Sequence, residues 1–364
     1  MISPEDIEKL IRPDIKAMPA YIPIEPTDVL SRRINIAEDQ VIKLDGNENP
    51  YGCSPRVKRA LADYAYYHLY PDPEQRELRK ELAKYTGISA RNILAGSGSD
   101  ELIDIILRLF IQPGDKVINC PPTFGMYPFS TDVCGGKVVS IPRKPDFSID
   151  TSAARKAIDK GAKVIFIASP NNPSGNLTSE AVILELLQGA AVIVIDEAYY
   201  EFSGTTVAPL VQKYSNLIVL RTFSKWAGLA GLRVGYGIFP ANLVEYLMKI
   251  KQPYNVNAAA QVAALESLRD LNYLRGTIKA IVRERERLMS ELVKFDRLKV
   301  YTSEANFILC RVLKGSAEVI YEGLQKKGIF IRYFDTPQLK DCLRISVGKP
   351  EQTDILIASL KEMR

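Results

Sequence analysis

Six short runs of aliphatic, mostly β-branched residues punctuate the chain: NILA (92–95), DKVINC (115–120), KVVSI (137–141), KVIFIA (163–168), AVIVI (191–195) and LIVL (217–220). Such runs read as strands with apolar residues on both faces rather than as half-exposed strands. Amphipathic stretches such as DTSAARKAIDKG and LTSEAVILELLQG separate most of them. Strands of this kind, alternating with helices, argue for the α/β class: a mostly parallel central sheet covered by helices on both sides. A chain of 364 residues has room for one large domain and a smaller companion.

The flanking segments complete that outline. The first forty or so residues are rich in proline without strong periodicity and read as an arm. PRVKRALADYAYY and PEQRELRKELAKYTG read as helices, the second closed by Gly87. After Pro240 the pattern turns helical through about Lys294, and the end mixes strands (NFILCRV, GIFIRYF, CLRISVG) with helices. The expected division is an arm over 1–45, a large ligand-binding domain over 46–265 and a smaller α+β C-terminal domain over 266–364. Part of the arm is expected to pack with the last.

Composition removes several kinds of chemistry. His68 is the only histidine, so Ser-His-Asp triads and multi-histidine metal sites are all but excluded, and no metal is expected. Five cysteines without a CxxC pair read as reduced structural thiols. The net charge of +5 is mild and suits a small anionic ligand as well as anything larger. No nucleic acid and no membrane is expected as a partner. MISPEDIEKL lacks the layout of a signal peptide, which makes the expected location cytoplasmic.

In open α/β sheets ligands bind beyond the carboxyl ends of the strands. After NILA comes GSGSDELIDIILRLF, a glycine turn entering a helix with Ser99 and Asp100 at its start, a natural anion site. SPNNPSG follows KVIFIA, DEAYYEF follows AVIVI with Asp196 at the strand end, and RTFSK follows LIVL with Lys225 in it. Taken singly, each has a plain reading as a turn, a cap or a solvated cation. Together they supply what pyridoxal phosphate requires: a lysine amine for its aldehyde (Lys225) and a carboxylate for its ring nitrogen (Asp196). They also offer polar donors for its 3′ oxygen (Asn172, Tyr199) and a cup for its phosphate (Ser99, Asp100, Ser224, Arg233). The small residues of RTFSKWAGLAGLRVGY are read as leaving room for a flat ring beside Lys225.

SPNNPSG, DEAYYEF and TFSKWAGLAGLRVGY resemble the signature segments of fold-type I, class II aminotransferases. LDGNENPYG, LYPDP, CPPTFGMY, GIFIR and CLRISVG narrow the resemblance to the histidinol-phosphate aminotransferase family, from about Tyr21 to the C-terminus. It implies the fold-type I transferase fold and pyridoxal 5′-phosphate as cofactor. Lys225, Asp196 and Tyr199 are the implied catalytic residues. Asn172, Ser99, Asp100, Phe124, Thr222, Ser224 and Arg233 are implied around the cofactor. Tyr70 is implied to reach the cofactor phosphate of a neighbouring subunit, hence a homodimer with shared active sites. Arg344, Arg332, Tyr21 and Asn47 are implied at the substrate.

The sequence departs from the family where Phe124 stands for a common Tyr, Leu69 for a common Arg and Ser174 for a common Thr. The implied reaction moves the amino group of glutamate to imidazole acetol phosphate. Its rivals in the same fold are an aromatic amino-acid aminotransferase and a threonine-phosphate decarboxylase. Trp226 has no role in this reading.

Overall fold

The computed structural model describes residues 4–21 and 23–363; residues 1–3 and 22 of the expected arm, and Arg364, lie outside them. The arm is more ordered than its sequence suggests, with helices Pro4–Lys9, Pro13–Ala17 and Thr27–Ile34 leading into strand β1 (Ile42–Leu44). These helices are too short, at five to eight residues, to display a 3.6-residue period.

The large sheet holds β2 (Ile93–Gly96), β3 (Lys116–Asn119), β4 (Lys137–Ser140), β5 (Ala162–Ala168), β6 (Val192–Asp196), β7 (Leu217–Thr222) and β8 (Gly235–Ile238), in the order β2-β8-β7-β6-β5-β3-β4. Pairing is parallel from β4 to β7, while β8 runs antiparallel to both β7 and β2. The six apolar runs are therefore six of its seven strands. The seventh, β8, has the sequence GYGI, and two glycines in four residues hide it from a propensity reading. Its glycine is required: a Cβ on Gly235 would sit 2.7 Å from the amide nitrogen of Ser99 and 2.9 Å from the carbonyl oxygen of Arg221.

Both faces of this sheet are buried, as its sequence demands. Ile165, Ile167, Ile193, Ile195, Leu217 and Val219 enter one core, and Val164, Phe166, Val194, Ile218 and Leu220 enter the other. That alternation is the two-residue period of a strand with apolar side chains on both sides. Trp226 belongs to the first core, stacked on Tyr85 at 5.5 Å between ring centroids, and its role is packing.

The smaller sheet contains β9 (Leu298–Val300), β10 (Phe307–Val312), β11 (Ile329–Tyr333) and β12 (Cys342–Ser346), with β1 on its edge in the order β1-β11-β12-β10-β9. β1 pairs parallel to β11, so the arm is hydrogen-bonded into this sheet. The Leu271–Leu292 helix joins the two bodies. Its Leu274 and Ile281 pack into the large core, whereas Leu288 and Leu292 pack into the small one. No helix among the described residues is long and apolar enough to cross a membrane.

Candidate active site

A cavity of about 680 Å³ opens at the carboxyl edge of the large sheet and is walled on its far side by the small one. Each strand delivers its polar residue there by ending. Ser99 and Asp100 follow β2, and Phe124 and Tyr127 follow β3; Asn172 follows β5. Asp196 and Tyr199 end β6, and Thr222, Ser224 and Lys225 end β7. Because β8 is antiparallel, Arg233, which precedes it, reaches the same edge. Asn47 comes from the turn after β1, Arg332 and Arg344 from β11 and β12, and Tyr21 from the arm. Tyr70 is the one expected residue that does not line the cavity. It is 81% exposed and stacks on Tyr254 at 4.4 Å.

Two ionisable groups held away from water, Asp196 buried and Lys225 largely so, line this space. The Lys225 amine donates to the Gly46 carbonyl at 3.1 Å. Burial, reinforced by the positive charge of Arg344, pushes it down to about 8. The Asp196 carboxylate accepts from the Tyr127 hydroxyl at 2.7 Å and from the amide of Ala198 at 3.0 Å. Burial nevertheless raises it to about 6, because two neutral donors do not replace water. Immediately behind, Glu197 and Arg221 form a buried pair at 2.9 Å, and the guanidinium lies 3.7 Å from the centre of the Tyr200 ring. Alternation along β6 and β7 turns that pair away from the cavity and Asp196 and Thr222 toward it.

The remaining polar groups are held by one another. Tyr199 accepts from the Asn47 amide at 3.0 Å. Asn47 itself is fixed by Ser346, whose hydroxyl donates to its side-chain oxygen at 2.8 Å, and by Asn306, which donates to its carbonyl at 2.9 Å. Expected at the substrate, Asn47 thus has its polar atoms engaged in orienting Tyr199. Arg344 donates to the Asn172 side-chain oxygen at 2.6 Å and to the Asp45 carbonyl. Arg233 pairs with the Asp100 carboxylate at 2.6 Å, so Asp100 contributes a side chain as well as a backbone. Thr222 and Ser224 share a hydroxyl contact of 2.9 Å.

Residues 39–360 match the family described as aminotransferase class I and II. The chain belongs to that family. This aminotransferase is 49% identical over 358 residues to a histidinol-phosphate aminotransferase of Dehalococcoides mccartyi, covering 98% of this chain and 99% of the relative. It is 47% identical to chloroplastic histidinol-phosphate aminotransferase 1 of Arabidopsis thaliana, covering 98% and 86%. Among solved structures it resembles the histidinol-phosphate aminotransferase of Sinorhizobium meliloti in complex with pyridoxal-5′-phosphate, with a TM-score of 0.88 and 27% identity over 97% of each chain. The fold is therefore that of the fold-type I transferases.

The aminotransferase's own cavity fits that cofactor. A fully buried carboxylate with only neutral donors suits a protonated ring nitrogen. The first turn of the Gly98–Phe110 helix, closed in by β8 at Gly235 and by Arg233, suits a phosphate. Among the small residues near Lys225, Ala230 lines the cavity, while one glycine has a separate cause. At Gly228, which has φ +67°, a Cβ would lie 2.4 Å from the carbonyl of Gly52, so backbone-to-backbone packing fixes that glycine. Two side chains escaped the sequence reading. Tyr127 was visible as the last residue of CPPTFGMY, but only its contact reveals its task. Phe334 has no motif at all.

Lys225 makes this aminotransferase's pH behaviour specific. With a folded value near 8 against 10.5 for an ordinary lysine, the buried charge costs stability below pH 8, and the cost fades as pH rises to 10.5. Replacing Lys225 with Met should therefore stabilise the cofactor-free protein by on the order of 2 kcal/mol at pH 7, with the gain vanishing above about pH 10. Urea melts at both pH values check this; an equal gain at each would mean that packing, not charge, is responsible.

Proposed function

We propose that the chain is a histidinol-phosphate aminotransferase acting in histidine biosynthesis. It transfers the amino group of glutamate to imidazole acetol phosphate, giving 2-oxoglutarate and L-histidinol phosphate. The observation that carries this reading is one cavity with a buried lysine and carboxylate at one end and two arginines at the other, in a chain alike over nearly its whole length to enzymes of that name. Pyridoxal 5′-phosphate, when bound, supplies an aldehyde that captures the amine and a ring that draws electrons from the carbon bearing it.

The chain's residues then have these tasks. Lys225 would hold the cofactor through its aldehyde, and its amine would then be free to carry the proton at the substrate carbon. With its amine pushed down to about 8, it is far easier to deprotonate at neutral pH than a solvated lysine. Asp196 would keep a proton on the ring nitrogen, its carboxylate held in place by the Tyr127 hydroxyl. Since Tyr199 already accepts from Asn47, its own proton is available to the cofactor's 3′ oxygen. Asn172, its oxygen taken by Arg344, has its amide nitrogen left for the same atom.

The backbone of Ser99 and Asp100, with Ser224 and Arg233, would hold the phosphate, with Thr222 beside it, and Phe124 would cover the ring face, where an apolar surface stacks as well as Tyr does. Arg344 and Arg332 receive the substrate anion, carboxylate in one half-reaction and phosphate in the other, which guanidinium forks can do. Tyr21 closes the substrate side.

A side-by-side assay of histidinol phosphate, phenylalanine and phosphothreonine with 2-oxoglutarate tests the substrate. Histidinol phosphate should be turned over with the highest kcat/KM; faster phenylalanine turnover, or carbon dioxide released from phosphothreonine, would give the function to one of the rivals.

The enzyme is proposed to work as a cytoplasmic homodimer with shared sites. Tyr70 leaves its own chain's cavity and sits with Tyr66, Tyr67, Leu69 and Tyr254 in an exposed aromatic patch that suits a second copy. Mixing a Tyr70→Ala variant with a Lys225→Ala variant and allowing subunits to exchange should restore about a quarter of wild-type activity, one intact site in each mixed dimer. Activity equal to the mean of the two parents would contradict shared sites.

A further inference from the structure

The anion end of the cavity contains an electrostatic oddity. Arg332 and Arg344 lie directly opposite each other on the antiparallel pair β11 and β12. Like charges in that register repel. Neither has a carboxylate partner among the described residues. Arg344 is instead fixed by neutral oxygens, those of Asn172 and of the Asp45 carbonyl. The Arg332 guanidinium makes no hydrogen bond or ion pair among the described residues. What the two arginines share is a ring. The Phe334 centroid lies 5.8 Å from the guanidinium carbon of Arg332 and 5.7 Å from that of Arg344. Arg344 has a second aromatic neighbour, Phe307, at 5.5 Å. Phe334 itself lines the cavity and packs against the cluster of Phe147, Leu309, Leu339 and Cys342.

We infer that Phe334 is the positioning residue of the anion site, its ring serving as the common seat of both guanidinium groups. The face of an aromatic ring attracts a cation without fixing its direction, unlike a carboxylate, and it does not compete with an incoming anion for hydrogen bonds. Arg344 is thereby the fixed member of the pair. Arg332, held only by the ring, is the movable one, able to turn over Phe334 to meet anions at different distances from the reacting carbon. The division of labour rests on the proposed reaction, in which one site must accept the carboxylate of glutamate and the phosphate of the second substrate in turn. The seating of the arginines does not depend on it.

The test compares Phe334→Leu, which keeps apolar bulk and removes the ring face, with Phe334→Tyr, which keeps the face. Both are made as cofactor-loaded protein, with the cofactor absorbance confirming an intact site. In the Leu variant, KM for glutamate and for histidinol phosphate should rise roughly 3- to 30-fold while kcat stays within about twofold. Inorganic phosphate, titrated calorimetrically into the loaded protein so that the cofactor's own phosphate cup is filled, should bind more weakly by a similar factor. The Tyr variant should behave as wild type in both measurements.

Unchanged phosphate binding in the Leu variant overturns the inference. So does a Tyr variant as impaired as the Leu one, or a fall in kcat with KM unmoved. If wild type fails to turn over histidinol phosphate, the proposed function falls, yet the phosphate titration still decides the role of Phe334.

Discussion

Strands β5, β6 and β7 are buried on both faces, and that constraint places everything else. A strand with cores on either side cannot carry charge along its length, so polar groups appear where it stops. Parallel pairing makes neighbouring strands stop at the same edge, and Ala168, Asp196 and Leu220 lie in register across it. The antiparallel β8 brings Arg233 there from the opposite direction. The Glu197–Arg221 pair shows what departure from the rule requires: its two charges are buried together, bonded to each other and to Thr206.

The cavity's charges are tuned by the same scarcity of water. Lys225 and Asp196 are both pushed toward neutrality by burial, one down to about 8 and the other up to about 6. Each keeps only neutral partners, the Gly46 carbonyl for the amine and the Tyr127 hydroxyl and Ala198 amide for the carboxylate. Groups arranged in this way bind a ligand of complementary charge more strongly than groups already paired, and they are the natural carriers of protons. Arg344, lowered to about 10 chiefly by burial, follows the same pattern at the other end.

The features legible in the sequence were those whose cause is local. Six strands could be read because a strand buried on both faces must be continuously apolar, and Asp196 and Lys225 could be read because they break that rule at its end. Four features were illegible for the opposite reason. β8 is a strand because Gly235 must lie against Ser99, far away in the chain. The arm's β1 is a strand because β11 offers it an edge. Tyr127 matters through a hydrogen bond that spans 69 positions, and Phe334 through two arginines whose placement depends on the pairing of β11 with β12. Asn47 lines the cavity as expected and also holds Tyr199, a contact across 152 positions that spacing could not show.

The proposed function requires Lys225 to be the single covalent attachment point at that buried edge. Borohydride reduction of protein loaded with pyridoxal phosphate, followed by digestion and mass mapping, reads it directly. One pyridoxyl group per chain is expected, on the peptide containing Lys225 and on no other lysine. A modification spread over surface lysines, or an unmodified Lys225, would contradict it.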